Sequence, residues 1–384
     1  SDVYKRQHEF VADITAIMSS LLKRELRWKA VEDKAKDLSD YSLINALAAE
    51  FGEYATGRPH LRSALSKNTV DSIKNSTSPY EWSLVLTGAM WEILSAMFTY
   101  YRLRPQKSGK LPSSKQAIQW ATDRFRRVAF QSLDYLPPVD VQFSDYARAI
   151  LQADEVVDPV DRNGFRTIIR EAFDRRGIDY GMDEDEASRA YFYPYDIERI
   201  SRSRTDAYHF LNENRRQLCI PAQQDISVVD LYQTDKTIKG AGKLPREIVL
   251  QYAWREDVPL KGKKFGRLQG ELVSLLCGGT LVFDDRGNVR SKIRKPGTSL
   301  QRVVRGARLR SYCRREQEKG RERQKQLLAY LADRIGAGYV GLVEDGRPDE
   351  VRTRSPVVAE RRSDGRLRLG VSPHLRHWPM VEGE

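Results

Sequence analysis

The sequence predicts an α+β fold, in which an all-α N-terminal lobe is followed by a smaller α+β region. Apolar residues recur at helical spacing through most of the first 180 residues. After an acidic run at 183–186 the apolar runs become short and rich in β-branched residues, which is typical of strands. A chain of 384 residues with 40% apolar residues is long enough for two or three domains with sizeable cores.

The N-terminal lobe is predicted to cover residues 8–182. Its predicted helices lie at 8 to about 30, 38–51, 84–98, 115–132, 143–154 and 162–176. Residues 1–7 fit no pattern, so we expect non-native or linker residues there and a chain truncated at its N-terminus. The apolar run at 84–98 contains Glu92 and is too short to span a bilayer, so it predicts a buried helix and no membrane segment.

The smaller region is predicted to consist of an α+β part at 183–310 and a basic helix with a small terminal sheet at 311–384. Strand-like runs lie at 218–220, 226–232, 248–254, 279–283, 289–293, 339–343, 357–360 and 367–371. The turn sequence Asp284-Asp285-Arg286-Gly287-Asn288 predicts a hairpin over 280–293. The basic helix is predicted over 311–335.

The cysteines predict no disulfide framework. Cys219, Cys277 and Cys313 are widely spaced, odd in number and without a C-x-x-C pair. Such cysteine usage slightly favours the cytoplasm, and localisation is otherwise left open because the native N-terminus is expected to be missing.

The net charge of +12 is concentrated in one stretch. Residues 286–325 contain fifteen Lys or Arg against three Glu, and the rest of the chain is neutral. A basic helix often faces solvent or an acidic partner, but such a stretch can also bind nucleic-acid phosphates. No recognised nucleic-acid-binding motif accompanies it, so nucleic acid is the less favoured partner.

Glu9 and Asp13 lie one turn apart on the first predicted helix, so their carboxylates share one face. From the residues alone, this pair is either a capping and salt-bridge arrangement or part of a metal site. His8-Glu9 begins like an HExxH motif, but Ala12 stands where the second histidine would be. Chelation by two histidines on this helix is therefore excluded.

Two later stretches complete a pattern with this helix. The first is a loop leading into an apolar helix with small residues, Ser78-Pro79-Tyr80-Glu81-Trp82 and then Gly88-Ala89. The second, at 147–178, ends in Ala172-Phe173-Asp174-Arg175-Arg176-Gly177-Ile178. In this order the three stretches resemble the C-terminal helical lobe of the thermolysin-like zinc metallopeptidases, the gluzincins. The resemblance covers residues 8–178, nearly half the chain, and implies a thermolysin-like lobe.

The resemblance also implies roles for three residues. It makes Glu9 a zinc ligand and Asp13 the residue that hydrogen-bonds a histidine ligand. Tyr80 occupies the position where the family has a histidine that donates to the oxyanion of the tetrahedral intermediate. A phenol can also donate a hydrogen bond, and the alternative is an ordinary loop aromatic.

The implied activity is peptide-bond hydrolysis by a zinc-activated water, with a peptide or protein as substrate. Catalytic zinc takes three protein ligands, so Glu9 needs two histidines from an HExxH helix, which we expect upstream of residue 1. This chain by itself is therefore expected to be zinc-free and inactive, whereas its full-length parent is expected to be active. An inactive peptidase-like scaffold is the alternative, supported by Tyr80 in the position of the histidine.

Overall fold

The structure is a computed structural model that describes residues 2–29, 31, 38, 46–47, 62–74, 76, 79–181, 195–234, 237–238, 242–243, 245–299, 307–342, 351–353 and 357–371. The chain divides into two compact units. The helical unit comprises Asp2–Leu136 and Val141–Met182, and the mixed unit comprises Pro137–Asp140 and Asp183–Glu384. The combination of helices with a sheet confirms the predicted α+β class.

The helical unit consists mainly of long helices. They are α1 (Asp2–Leu22), α2 (Arg24–Lys29), α3 (Pro79–Leu103), α4 (Ser114–Gln131), α5 (Phe143–Val157) and α6 (Phe165–Arg176). Two short strands, β1 (Ala46–Leu47) and β2 (Arg62–Ser63), pair antiparallel, and a 3-10 turn spans Ser132–Tyr135.

Two predictions for this unit are wrong. The helix predicted at 38–51 is wrong at Ala46–Leu47, which form strand β1, and its partner β2 lies 15 residues further along the chain. The first helix was predicted to begin at residue 8, but α1 begins at Asp2. Apolar spacing did not reveal this first turn and a half, because Asp2–Gln7 is mostly polar.

Helix α3 is the centre of the helical unit. Its residues Val85, Ala89, Ile93 and Met97 are fully buried at helical spacing, and α1, α4 and α6 pack against it. Within residues 81–103, the most apolar window of 18 residues has a mean hydropathy of 1.2 and the length to span a membrane, so the apolar segment is longer than predicted. Because 67% of this window is buried inside the protein, it has the character of a core helix, and the described residues contain no clear membrane span.

The mixed unit is built on a six-stranded sheet. Its strands are β3 (Ser227–Thr234), β6 (Glu247–Pro259), β7 (Leu272–Asp284), β8 (Val289–Lys295), β11 (Val357–Arg361) and β12 (Leu367–Val371). The order is β11-β12-β7-β6-β3, and β8 pairs with the later half of β7. The smaller elements are α7 (Ile197–Arg202), α8 (Arg204–Glu213), the pair β4 (Thr237–Ile238) and β5 (Gly242–Lys243), a 3-10 turn at Lys263–Leu268, and the pair β9 (Val340–Leu342) and β10 (Val351–Thr353).

The long strands β6 and β7 pair antiparallel over their whole length, from Glu247↔Asp284 to Pro259↔Leu272. The terminal strands do not form the small separate sheet that was predicted. Instead, β12 pairs parallel with the start of β7 at Leu369↔Val273, so 183–310 and 311–384 contribute to one sheet. The strand predicted at 218–220 is also wrong, because this stretch is a turn in which Cys219 has a φ of 50°.

The predicted β7–β8 hairpin is confirmed, and the buried carboxylate of Asp284 organises its turn. The carboxylate accepts hydrogen bonds from the backbone N–H of Asn288 at 2.7 Å and of Arg286 at 3.0 Å, and from the Asn288 side chain at 2.8 Å. Arg290 adds an ion pair at 3.0 Å. Burial opposes ionisation of Asp284, but these contacts outweigh it, so the pKa of this carboxyl is lowered from its usual value.

We expect Asp284→Ala to lower the free energy of unfolding by about 1–3 kcal/mol at pH 7, because it leaves the turn donors without an acceptor. A carboxyl with a lowered pKa in the folded state stabilises above its unfolded pKa, about 3.9, and loses that contribution as the pH falls. The cost of Asp284→Ala should therefore shrink below pH 4. Urea unfolding at pH 7 and pH 3 measures this, with the exposed neighbour in Asp285→Ala as control. An equal cost at both pH values would contradict the role of the charge.

The basic helix is α9 (Ala307–Gly336), somewhat longer than predicted. In its later half Leu331 is buried in the core of the mixed unit, and Leu327 and Ile335 pack against it. In its middle, Gly320 approaches the backbone carbonyl of Gly297 so closely that a Cβ atom on Gly320 would overlap it. Glycine is therefore required for this contact between α9 and the segment that follows β8.

Buried polar side chains fix α9 to the sheet. The Arg294 guanidinium on β8 forms an ion pair with Glu316, and both side chains are at most 6% exposed. Arg323 donates to the Pro296 and Leu276 carbonyls at 2.7 and 2.6 Å and to Asp140 at 2.6 Å. These contacts hold a helix of 30 residues at a defined position on the sheet.

Candidate functional site

The predicted site lies on α1, where Asp13 is buried. Its side chain is 2% exposed and lies on the same helix face as the buried residues Phe10, Ile14 and Ile17. Asp13 therefore faces the core of the helical unit. A buried carboxylate is costly unless hydrogen bonds compensate its lost hydration, so its surroundings decide its role.

Helix α3 supplies a hydrogen-bond donor to Asp13. The Thr87 hydroxyl lies 3.3 Å from Asp13 Oδ2, and Thr87 is fully buried. Ser83 lies one turn earlier on α3 and is also fully buried. The α1–α3 interface thus combines an apolar stripe with a polar position at Asp13. Such a carboxylate can accept hydrogen bonds and hold a donor group, such as an imidazole N–H, in a fixed orientation.

The other two predicted site residues are described only by their backbone. Glu9 lies in α1, one turn before Asp13, and its side chain is outside the described part of the chain. Tyr80 is the second residue of α3, so it lies in the first helical turn and not in the preceding loop, and its side chain is also outside the described part. The structure therefore places both residues on the helices that meet at Asp13 and Thr87.

A metal centre is not formed by the described residues alone. Among them, no group of three or more His, Cys, Asp or Glu side chains has the arrangement to hold a metal ion. His209 is on α8, with its ring beside that of Tyr208. A catalytic zinc site therefore cannot be built from the described side chains without additional ligands.

A second buried carboxylate, Asp154, was not predicted from the sequence. It forms ion pairs with Arg124 of α4 and with Arg166 of α6, the latter at 3.4 Å. Burial raises the pKa of Asp154 to about 6, although both arginines oppose this shift. Because the carboxylate of α5 is enclosed by guanidinium groups from two other helices, its role is to connect α4, α5 and α6.

The mixed unit contains a third buried carboxylate, Glu256. It accepts hydrogen bonds from Thr298 N at 2.7 Å, from the Thr298 hydroxyl at 2.8 Å and from Ser299 N at 3.3 Å. Cys277, on the neighbouring strand, is fully buried, and burial raises the pKa of its thiol to about 12. A thiol with such a pKa is not a nucleophile at neutral pH, so Cys277 has no catalytic role here. The hydrogen bonds that Glu256 accepts hold the segment after β8 in place.

The cysteines differ from the sequence-based expectation. Cys219 and Cys313 form a disulfide with a Cα–Cα distance of 5.9 Å, and Cys277 is the remaining free cysteine. Spacing alone could not reveal this pair, because the partners are 94 residues apart. The disulfide does not determine the compartment, so localisation stays a prediction.

Comparisons of the chain with protein-family models, with curated proteins and with solved structures give no match. The assignment of a function therefore depends on the chemistry and position of the chain's own residues.

Proposed function

We propose that the chain is part of a zinc-dependent peptidase of the thermolysin-like type and supplies one side of its metal site. Glu9 would be a ligand of the zinc, Asp13 would hold a histidine ligand in its orientation, and Tyr80 would donate a hydrogen bond to the oxyanion. The bound zinc would supply Lewis-acid chemistry that activates water. The substrate would be a peptide or a protein.

The observation that carries the proposal is the burial of Asp13 on the core face of α1. A carboxylate at 2% exposure among apolar residues is unfavourable for stability unless its hydrogen bonds compensate. A carboxylate in such a position can accept the ring N–H of a metal-binding histidine and fix its orientation. Glu9 precedes Asp13 by one turn of the same continuous helix, as the resemblance requires.

The chain supplies only part of the donor set that this proposal needs. The described residues contain no three-ligand group, so two histidines would come from an HExxH helix upstream of Ser1 in the parent protein. The chain's own contribution would be helix α1, which carries Glu9 and Asp13 and packs against α3. That placement does not require a bound metal, because Phe10, Ile14 and Ile17 fix the helix in the core.

The first test is the reading frame upstream of Ser1. We expect an HExxH sequence about 20–60 residues before Glu9, the separation of a helix-to-helix connection. If the extended frame lacks this motif, the peptidase proposal fails and an inactive scaffold becomes the better explanation of the helical unit.

The second test uses the extended protein. We expect Glu9→Gln to lose most bound zinc and casein cleavage, and Asp13→Asn to weaken zinc binding by about 10–100-fold because the histidine loses its acceptor. Bound zinc is measured by metal analysis after dialysis. Asp145→Asn, at a carboxylate on the first turn of α5, is the control and should leave zinc unchanged. Equal zinc occupancy in Glu9→Gln and the unmodified protein would exclude the ligand role.

A further inference from the structure

Helix α9 carries a row of basic side chains on its exposed face. Arg310, Arg314, Arg321 and Lys325 are all exposed. At 100° per residue their positions fall within about 60° around the helix axis, and at 1.5 Å per residue the row is about 22 Å long. We call these four residues the basic row.

The structure separates the basic row from the other charges of the basic stretch at 286–325. Lys292, Lys295 and Arg323 are buried, and the Arg294 side chain is 4% exposed in its ion pair with Glu316, so these four are not part of a binding surface. Arg302, Arg305 and the side chain of Arg308 lie outside the described part of the chain. The basic surface is therefore smaller than the sequence suggests. Arg286, Arg290, Arg315 and Lys319 are also exposed but lie off the basic row, which is the part of this surface aligned along one side of α9.

The basic row is poorly compensated by acidic residues. Glu316 is buried with Arg294, and on the exposed face of α9 between 310 and 325 only Glu318 and Glu322 are acidic. Glu322 lies 3.9 Å from Lys325. Arg310, Arg314 and Arg321 form no ion pair with any residue that the structure describes. These three guanidinium groups are thus exposed and have no ion-pair partner within the part of the chain that the structure describes.

This arrangement is unfavourable for the helix itself. Cations near a helix N-terminus oppose the helix dipole, and residues 307–315 of α9 contain several arginines and no acidic residue. Like charges at positions i and i+4, such as Arg310 and Arg314, destabilise by about 0.2–0.5 kcal/mol. Charges of alternating sign would avoid this cost, and the basic row itself contains no acidic residue. The cost is consistent with a surface that is neutralised by an anionic partner.

The chemistry of the row favours phosphate groups as that partner. Guanidinium groups bind phosphate oxygens in a bidentate manner, and three of the four residues are arginines. Each strand of duplex DNA carries one phosphate per 3.4 Å of axis, so a row of about 22 Å can contact several phosphates of a backbone that winds past it. Tyr312 is the aromatic residue nearest the row in sequence, but it is buried between Lys292 and Arg294, which leaves no ring there for stacking on single-stranded bases.

We propose that the basic row of α9 binds the phosphate backbone of duplex nucleic acid, independently of sequence. Contacts to phosphates carry no sequence information directly, so affinity would come from ion pairs and counterion release. An anionic membrane is the less suitable partner, because the described part of α9 exposes no large apolar side chain to insert into lipid. This inference is independent of the peptidase proposal.

The test is binding of the full chain to a mixed-sequence 20-base-pair DNA duplex, measured by fluorescence anisotropy at 50, 100 and 200 mM salt. Four phosphate contacts predict a slope of about −3.6 for log affinity against log salt, and thus a loss of about 150-fold from 50 to 200 mM. Arg310→Gln/Arg314→Gln/Arg321→Gln should reduce the slope to about −1. The matching lysine variant at the same positions should keep the slope, because it keeps the charges.

The control removes three exposed lysines elsewhere, in Lys74→Gln/Lys107→Gln/Lys110→Gln, and should leave the slope unchanged. Equal losses in the two glutamine variants would show that net charge alone drives binding, which overturns the proposal. Absence of duplex binding at 50 mM salt also overturns it, as does tighter binding to a single strand of the same length. Vesicles containing phosphatidylserine are the last probe. If they bind through the row as tightly as the duplex does, the partner is a membrane and the proposal is wrong.

Discussion

Glu316→Ala is expected to lower the free energy of unfolding of the mixed unit by about 3–5 kcal/mol, since it removes one partner of a buried ion pair. The Arg294 side chain is 4% exposed, so its guanidinium would remain buried without its carboxylate. The Leu218 carbonyl still accepts one hydrogen bond from it at 2.5 Å, and the Tyr312 ring stays 4.8 Å away, but neither neutralises the charge. Urea unfolding measures the loss, with hydrogen exchange of the β6 amides reporting on this unit.

Two variants make this prediction specific. Glu318→Ala removes an exposed carboxylate two residues further along α9 and should change stability by less than about 0.5 kcal/mol. Arg294→Met/Glu316→Leu removes both charges and should recover most of the stability, because buried pairs can be replaced by apolar side chains of similar volume. If Glu316→Ala cost no more than Glu318→Ala, the packing of α9 on β8 would be wrong.

The parts of the fold that were predicted correctly are indicated by residues that lie close together in the sequence. The apolar run of α3 indicates burial by composition alone, and Asp284 with Asn288 indicates the turn of the β7–β8 hairpin. The position of β12 beside β7 was missed, because a parallel pairing joins segments almost 100 residues apart. Nothing within 367–371 distinguishes a strand of a small terminal sheet from a strand of the main sheet.

For the candidate site, too, only the features that depend on neighbouring residues could be predicted from the sequence. Helical spacing placed Asp13 near the apolar residues of α1, but its hydrogen bond from Thr87 joins residues 74 positions apart and had no sequence signal. The basic stretch shows the opposite error. Its charges were counted as one surface, whereas strand alternation and helix periodicity direct Arg294 and Glu316 towards each other in the interior.

The disulfide between Cys219 and Cys313 leads to the second large prediction. Reduction, or Cys219→Ser/Cys313→Ser, is expected to lower the free energy of unfolding by about 2–4 kcal/mol, because the bond closes a loop of 94 residues and restricts the unfolded chain. Thermal unfolding with and without a phosphine reductant measures this. The reductant should lower the melting temperature of the unmodified protein and leave that of the double serine variant unchanged.

A thiol titration in guanidinium checks the pairing itself. Without reductant it should find one thiol per chain, that of Cys277, and three after reduction. Three thiols before reduction would contradict the bond.

The effect of reduction should be largest at the start of α9. Cys313 is buried in the same part of α9 as the basic residues that oppose the helix dipole, so the disulfide holds a segment that is electrostatically unfavourable as a helix. The later half is held independently by Leu327 and Leu331 in the core. Hydrogen exchange after reduction should therefore increase more at 311–316 than at 327–335. A uniform increase along α9 would mean that the bond stabilises the unit only through the unfolded state.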